Sequence, residues 1–237
     1  MLKKIKLFCL PYAGGSSNIY SSWGKCLNHS IEIHPIELAG RGKRYVDCLY
    51  DNIEQAIDDV YKTVEGNIDD SSFDYAIFGH SLGGLIAYEL IHRIKLEAKR
   101  QPIHVFFSGA RAPHFNKEKD KTYDLPDDKF KQRVLELGGT PREVLENDEL
   151  LDVFLPILRA DFKINETYEY VGRQDKIDCD ITVLSGKKDD MKLNEIVEWR
   201  KHTSGKCNIF ILEGDHFFIN THSDDVIKII NNTLSRE

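Results

Sequence analysis

The sequence has no apolar run approaching the roughly 20 residues that a membrane-spanning helix needs, so no such helix is expected. It has no Cys-x-x-Cys pair. Its five cysteines, at positions 9, 26, 48, 179 and 207, are odd in number and widely scattered. That pattern disfavours a disulfide framework and a zinc site, and suits reduced thiols packed as small hydrophobes. Positive charge is in the minority, with 32 Lys and Arg against 39 Asp and Glu, a formal charge of −7. Phosphate-rich partners need a positive surface, so a general nucleic-acid or anionic-membrane binder is excluded. Internal repeats, low-complexity tracts and Gly/Ser linkers are also missing. The opening Met1-Leu2-Lys3-Lys4-Ile5-Lys6 has the charge of a signal-peptide n-region. The apolar run behind it, Leu7-Phe8-Cys9-Leu10, stops at Pro11, too short for an h-region. A first β-strand and a cytoplasmic location are expected.

What is present is an ordinary globular composition, 41% hydrophobic and 30% charged over 237 residues. Short β-branched or aromatic runs alternate with helix-period segments. The expected strands are Ile5–Leu10, Ile31–Glu37, Phe73–Phe78, Ile103–Ser108, Ile181–Ser185 and Asn208–Leu212. Their near-continuous apolar character suits strands covered on both faces. Helices are expected over about Asn52–Val64, Leu82–Lys95, Leu193–His202 and Asp224–Leu234. Alternating β and α segments predict an α/β fold with a mostly parallel sheet flanked by helices. From about Pro113 to Gly172 no strand is evident, and runs such as Phe130, Val134, Leu135 and Leu150 to Phe162 have helical spacing. These 60 or so residues are too many for an ordinary crossover, so an inserted helical lid is expected within a single domain spanning 1–237. An enlarged crossover without a gating role is the alternative.

The chemistry centres on Gly79-His80-Ser81-Leu82-Gly83, a GxSxG pentapeptide with Gly84 after it. It follows a strand and opens a helix, the context of a nucleophile elbow, in which a strained turn exposes the serine Oγ above the sheet. The hydroxyl needs a base, and the base an orienting carboxylate, in the chain order Ser, Asp or Glu, His. His216, just beyond the last strand, is the expected base. His202 and His222 are expected on solvated surface, and His80 is expected to pack or hydrogen-bond within the elbow. The strand ending at Ser185 leads to Asp189, the preferred acid, with Asp190 its rival. Two backbone N–H donors are needed for the oxyanion. One is expected from Leu82, the other from Ala13 in the loop Pro11-Tyr12-Ala13-Gly14-Gly15, with Tyr12 as the alternative. No Lys follows the Gly-Gly pair, which argues against a phosphate loop.

The sequence resembles the type II (editing) thioesterases of nonribosomal peptide and polyketide synthesis, almost end to end. The resemblance rests on Leu10-Pro11-Tyr12-Ala13-Gly14-Gly15-Ser16, on Glu37-Leu38-Ala39-Gly40-Arg41-Gly42 and on Phe78 to Gly84. It extends through Ser108 to Pro113, Leu135 to Pro141, Leu155 to Phe162 and Gly214-Asp215-His216-Phe217-Phe218. At position 39 the family more often has Pro. It also usually has Asp-Pro at the acid, which aligns Asp189 with the carboxylate and Asp190 with the proline. The resemblance implies an alpha/beta-hydrolase fold and hydrolysis of acyl or aminoacyl thioesters from the phosphopantetheine arm of peptidyl or acyl carrier proteins. It implies no metal and no cofactor of the chain's own, since the phosphopantetheine belongs to the partner. A monomer is expected.

Two rival readings share these residues: chain release from a fatty acyl carrier, and a non-catalytic carrier-binding module. Arg41, Lys43, Arg44 and Arg111 are candidates to hold the arm's phosphate, although such side chains are ordinarily solvated surface. The lid aromatics Phe130, Phe154, Phe162, Tyr168 and Tyr170 are expected in the core. Carrier proteins are typically acidic, so recognition must rest on apolar lid contacts or a local basic patch.

Overall fold

The computed structural model describes residues 3–115, 121–140, 144 and 147–235. Six strands, β1 Ile5–Leu10, β2 Ile31–Pro35, β3 Asp74–His80, β4 His104–Ser108, β5 Asp180–Gly186 and β6 Cys207–Leu212, form one sheet in the order β2-β1-β3-β4-β5-β6. Every pairing is parallel. The four inner strands are almost wholly buried, because helices cover both faces. Their side chains alternate between two cores, as a period of two requires. Phe8, Tyr75, Ile77, Val105, Phe107, Ile181 and Val183 face one. Leu7, Cys9, Ala76, Phe78, Phe106 and Leu184 face the other. The expectation that every strand is covered on both faces fails at β6. It is an edge strand, and Phe210 and Ile211 remain 40% and 48% exposed.

The first core is roofed by α1 (Ile53–Ile68) and α2 (Leu82–Leu96). The start of α1 is fixed by Asn52, whose side chain accepts from the Gln55 N–H at 3.0 Å. The second core is closed by α7 (Ser223–Leu234), through Val226, Ile227, Ile230 and Leu234. Between β5 and β6 the expected single helix divides into α5 (Leu193–Val197) and a 3-10 turn, Glu198–His202. A short α6 (Phe218–Thr221) precedes α7.

Within 113–172 the described residues hold no strand. They form α3 (Asp127–Leu137) and α4 (Asp148–Thr167). Phe130 and Val134 of α3 pack on Leu151, Leu155 and Leu158 of α4 as a small core of their own. Residues 116–120, 141–143 and 145–146, which include Pro141 of the Leu135–Pro141 motif, lie outside the described residues.

Strand order reverses direction at β1, which has β2 on one side and β3 on the other. In open parallel sheets this switch leaves a crevice beyond the carboxyl ends of the strands. The loop after β1 and the turn after β3 meet there.

Candidate active site

The turn from β3 to α2 places Ser81 in a strained conformation, φ 55° and ψ −116°. A non-glycine residue adopts such a φ only where its surroundings enforce it. The enforcement is visible on both sides. The Ser81 N–H donates to the Ser108 carbonyl at 2.8 Å. A Cβ on Gly79 would lie 2.2 Å from the Gly83 oxygen, and one on Gly83 would lie 2.3 Å from the Leu10 oxygen. Only glycines allow strand, helix and the end of β1 to approach this closely.

His216 lies 2.9 Å from Ser81 Oγ through Nε2 and 2.8 Å from Asp189 Oδ2 through Nδ1. A carboxylate accepts only, so Nδ1 carries the proton and Nε2 is free to receive the serine hydroxyl's. The Asp189 side chain is fully inaccessible. Burial pushes its carboxyl up, but hydrogen bonds and charge from His216, with smaller help from Asp190 and the Met191 N–H, hold it below its ordinary value. Asp190 faces solvent. Its side chain is 88% exposed and faces Arg111 at 3.4 Å.

His80 lies directly beneath. Its Nε2 is 3.0 Å from the His216 carbonyl oxygen and its Nδ1 2.8 Å from Ser108 Oγ. The carbonyl must accept, so Nε2 is protonated and Nδ1 receives the Ser108 hydroxyl. Burial, then the neighbouring His216, pushes the His80 pKa down to about 3. His80 therefore supports the backbone of His216 as a neutral ring.

Ala13 lines the same cavity as Ser81, and Leu82 is the first residue of α2. The Gly15 N–H donates to the Tyr12 carbonyl at 2.8 Å. In a trans peptide N–H and C=O point in opposite directions, so the Ala13 N–H is turned away from Gly15. The Tyr12 side chain instead packs edge-on to His80 and Phe217.

Two side chains that fix this loop were not singled out in the sequence. Glu37 accepts from the Ser17 N–H and hydroxyl at 2.9 and 2.8 Å. Asp161 of α4 accepts from the Gly14 N–H at 2.7 Å. It also pairs with both terminal nitrogens of Arg41, at 2.7 and 2.8 Å. Arg41 is thus buried and paired, neither surface nor available to a phosphate. Arg44 is engaged by Asp59 and Asp47, while Lys43 is exposed. Arg111 lines the cavity.

His202 departs from expectation. It is buried, its Nδ1 3.3 Å from the Tyr88 hydroxyl and its Nε2 2.8 Å from His114 Nδ1. The 3-10 winding of 198–202 turns it inward, which a helical reading of that segment placed outward. His222 immediately precedes α7 and is half-buried, 2.9 Å from the Thr221 hydroxyl. The aromatics of 113–172 divide. Phe130 is fully buried between α3 and α4, and Tyr168 donates to buried Glu89 at 2.6 Å. Phe154 and Phe162 face the cavity, and half-buried Tyr170 packs against His114 and His202.

That cavity has a volume of about 1460 Å³ and contains Ser81, His216 and Asp189 between the sheet's carboxyl end and α4.

Comparison with known proteins points to one family. ClbQ from the colibactin NRPS/PKS pathway superposes with a TM-score of 0.92 and 36% identity, over 98% of this chain and 97% of that one. The gramicidin S biosynthesis protein GrsT of Aneurinibacillus migulanus is 33% identical over 96% of this chain and 88% of its own length. The medium-chain S-acyl fatty acid synthase thioesterase of Rattus norvegicus is 34% identical over 90% of this chain and 81% of its own. The thioesterase domain model matches residues 5–234, and the chain belongs to the thioesterase family, with its alpha/beta-hydrolase fold.

Proposed function

We propose that this protein is a serine thioesterase that removes acyl or aminoacyl groups from the phosphopantetheine arm of carrier proteins, serving as an editing enzyme of nonribosomal peptide or polyketide synthesis. The observation that carries the reading is the hydrogen-bonded series Ser81–His216–Asp189 opening into a large cavity. Its relatives in peptide-antibiotic and colibactin biosynthesis support the choice of carrier-bound substrates.

In this mechanism Ser81 Oγ attacks the thioester carbonyl as His216 Nε2 takes its proton. The Leu82 and Ala13 N–H groups receive the oxyanion, Leu82 helped by its place at the start of α2. Asp189 holds His216 in the required tautomer and stabilises the imidazolium. His216 then protonates the departing pantetheine sulfur. Water, deprotonated by the same ring, releases the acid from Ser81. The oxyanion hole and the leaving-group proton are supplied by this chain's own groups.

Turnover of acetyl-, aminoacyl- and long-chain acyl-carrier proteins by the wild type and Ser81→Ala tests the reading. Ser81→Ala should lose on the order of 10⁶ in kcat, and retention of most activity would defeat the assignment. Fast clearance of short units supports editing; a strong preference for long chains would place the enzyme in fatty-acid release instead. The rat medium-chain relative makes that second reading concrete.

A further inference from the structure

Ser81 and residues of α2 and α4 line one cavity. Ser81 immediately precedes α2, Leu85 and Tyr88 lie three residues apart on one face of that helix, and all three line the cavity. On α4, Leu158 and Phe162 lie four residues apart and line it too. Two fixed rings line the same cavity. Tyr88 is only 1% exposed and packs edge-on to Trp199, with ring centres 5.8 Å apart. Its hydroxyl is 3.3 Å from His202 Nδ1. Trp199, also lining the cavity, donates from Nε1 to the Ala110 carbonyl at 2.8 Å and stacks on Phe107 at 3.9 Å. Neither ring can swing aside without giving up these contacts.

A helix rises about 1.5 Å per residue, so Tyr88 stands about 10 Å along α2 from Ser81. An extended carbon chain advances roughly 1.2 Å per bond, so about eight carbons fill that distance. We infer that Tyr88 and Trp199 form the floor of an acyl slot along α2 and restrict hydrolysis at Ser81 to acyl groups of about eight carbons or fewer. The inference rests on the serine-thioesterase reading and adds the substrate's size to it. Leu85, half-buried between nucleophile and floor, sets the width partway along.

The test is a series of acyl-pantetheine thioesters from two to sixteen carbons (a range of roughly twice the inferred limit), with kcat/KM measured for wild type, Tyr88→Ala and Leu85→Trp. For the wild type, kcat/KM should fall at least about tenfold between eight and twelve carbons. Removing the floor in Tyr88→Ala should raise the twelve-to-four-carbon ratio about tenfold or more. Filling the slot in Leu85→Trp should lower the eight-to-two-carbon ratio by a similar factor. Ratios within one preparation cancel any loss of folded protein, so a destabilised variant still reports. Identical profiles in all three proteins would overturn the slot while leaving the thioesterase reading intact. Absence of turnover of any thioester by the wild type would overturn that reading, and the slot with it.

Discussion

Arg41 and Asp161 form a two-point ion pair, 120 residues apart in sequence, with side chains only 4% and 1% exposed. Around it converge the loop after β1, through Gly14 N–H and Gly15 C=O, the loop after β2, and helix α4. Burial works against the guanidinium's charge, but Asp161 outweighs it and holds the Arg41 pKa above its ordinary value. Removing one member leaves a buried charge without its partner, which costs about 3–5 kcal/mol. Asp161→Ala is therefore expected to lower the unfolding free energy by about that amount. The double variant Arg41→Met/Asp161→Leu should lose much less, since both charges go together. Urea unfolding of the three proteins checks this. Equal losses in the single and double variants would mean that the Gly14 contact, not the ion pair, carries the effect.

The two adjacent aspartates after β5 separate cleanly by environment. Asp189 is enclosed and bonded to His216, whereas Asp190 is almost wholly in solvent. Asp189→Asn leaves the shape intact but removes the acceptor that fixes the His216 tautomer, and should lower kcat by about 10⁴. Asp190→Asn should change kcat by less than about threefold, as exposed substitutions generally perturb little. Steady-state hydrolysis of a short acyl thioester decides it. Equal, mild losses would mean that neither residue orients the base.

These contrasts show which features local sequence encodes. All six strands lie within two residues of their expected ends, because apolar runs and turn residues are contiguous signals. Strand β2 stops two residues early, at Pro35, before the chain turns toward Glu37. The nucleophile's turn was legible for the same reason: strand, glycines and helix are consecutive. The Arg41–Asp161 pair was not, since nothing near either residue names the other. A trace existed in the helix period. Asp161 shares a stripe with Ile157 and Ile164, all buried, and a charge on an apolar stripe needs a partner. His202 was misplaced because its segment winds as a 3-10 turn, where each residue advances further around the axis than in an α-helix.

Two glycines offer opposite expectations. Gly139, at φ +82°, sits against Phe217, and a Cβ there would be 2.1 Å from that ring's Cζ. Phe217 in turn packs edge-on to His216 at 5.2 Å. Gly139→Ala is strained in backbone and in contact, and should destabilise by about 1–3 kcal/mol. Gly66 lies on the exposed side of α1 with open space around its Cα, so Gly66→Ala should stabilise by about 0.5–1 kcal/mol. Thermal melts of both variants check the pair. A gain at 139 would show that the turn at 138–139 moves freely over Phe217.

Acidification is expected to unfold the protein through its buried histidines. Burial pushes His80 down to about 3 and His92, His104 and His202 down to about 4, from an ordinary value of 6.5. In the unfolded chain each ring takes up a proton as pH falls through 6.5. In the folded protein each stays neutral until its depressed value is reached. The unfolded state therefore binds more protons between these limits, and stability rises with pH across that window. The contribution is complete above 6.5 and is lost progressively as pH falls toward 4. Each ring contributes a slope of about 1.4 kcal/mol per pH unit, so the four together reach about 5.5. Asp189, held below its ordinary value, adds loss in the same direction at lower pH. Urea unfolding at a series of pH values should show this steep fall. His104 Nε2 lies 2.9 Å from the Thr182 hydroxyl, so His104→Asn should reduce the slope by about one ring's share, 1.4 kcal/mol per pH unit. A flat unfolding free energy from 6.5 to 4.5 would mean that these rings take up protons as readily in the folded protein as in the unfolded chain.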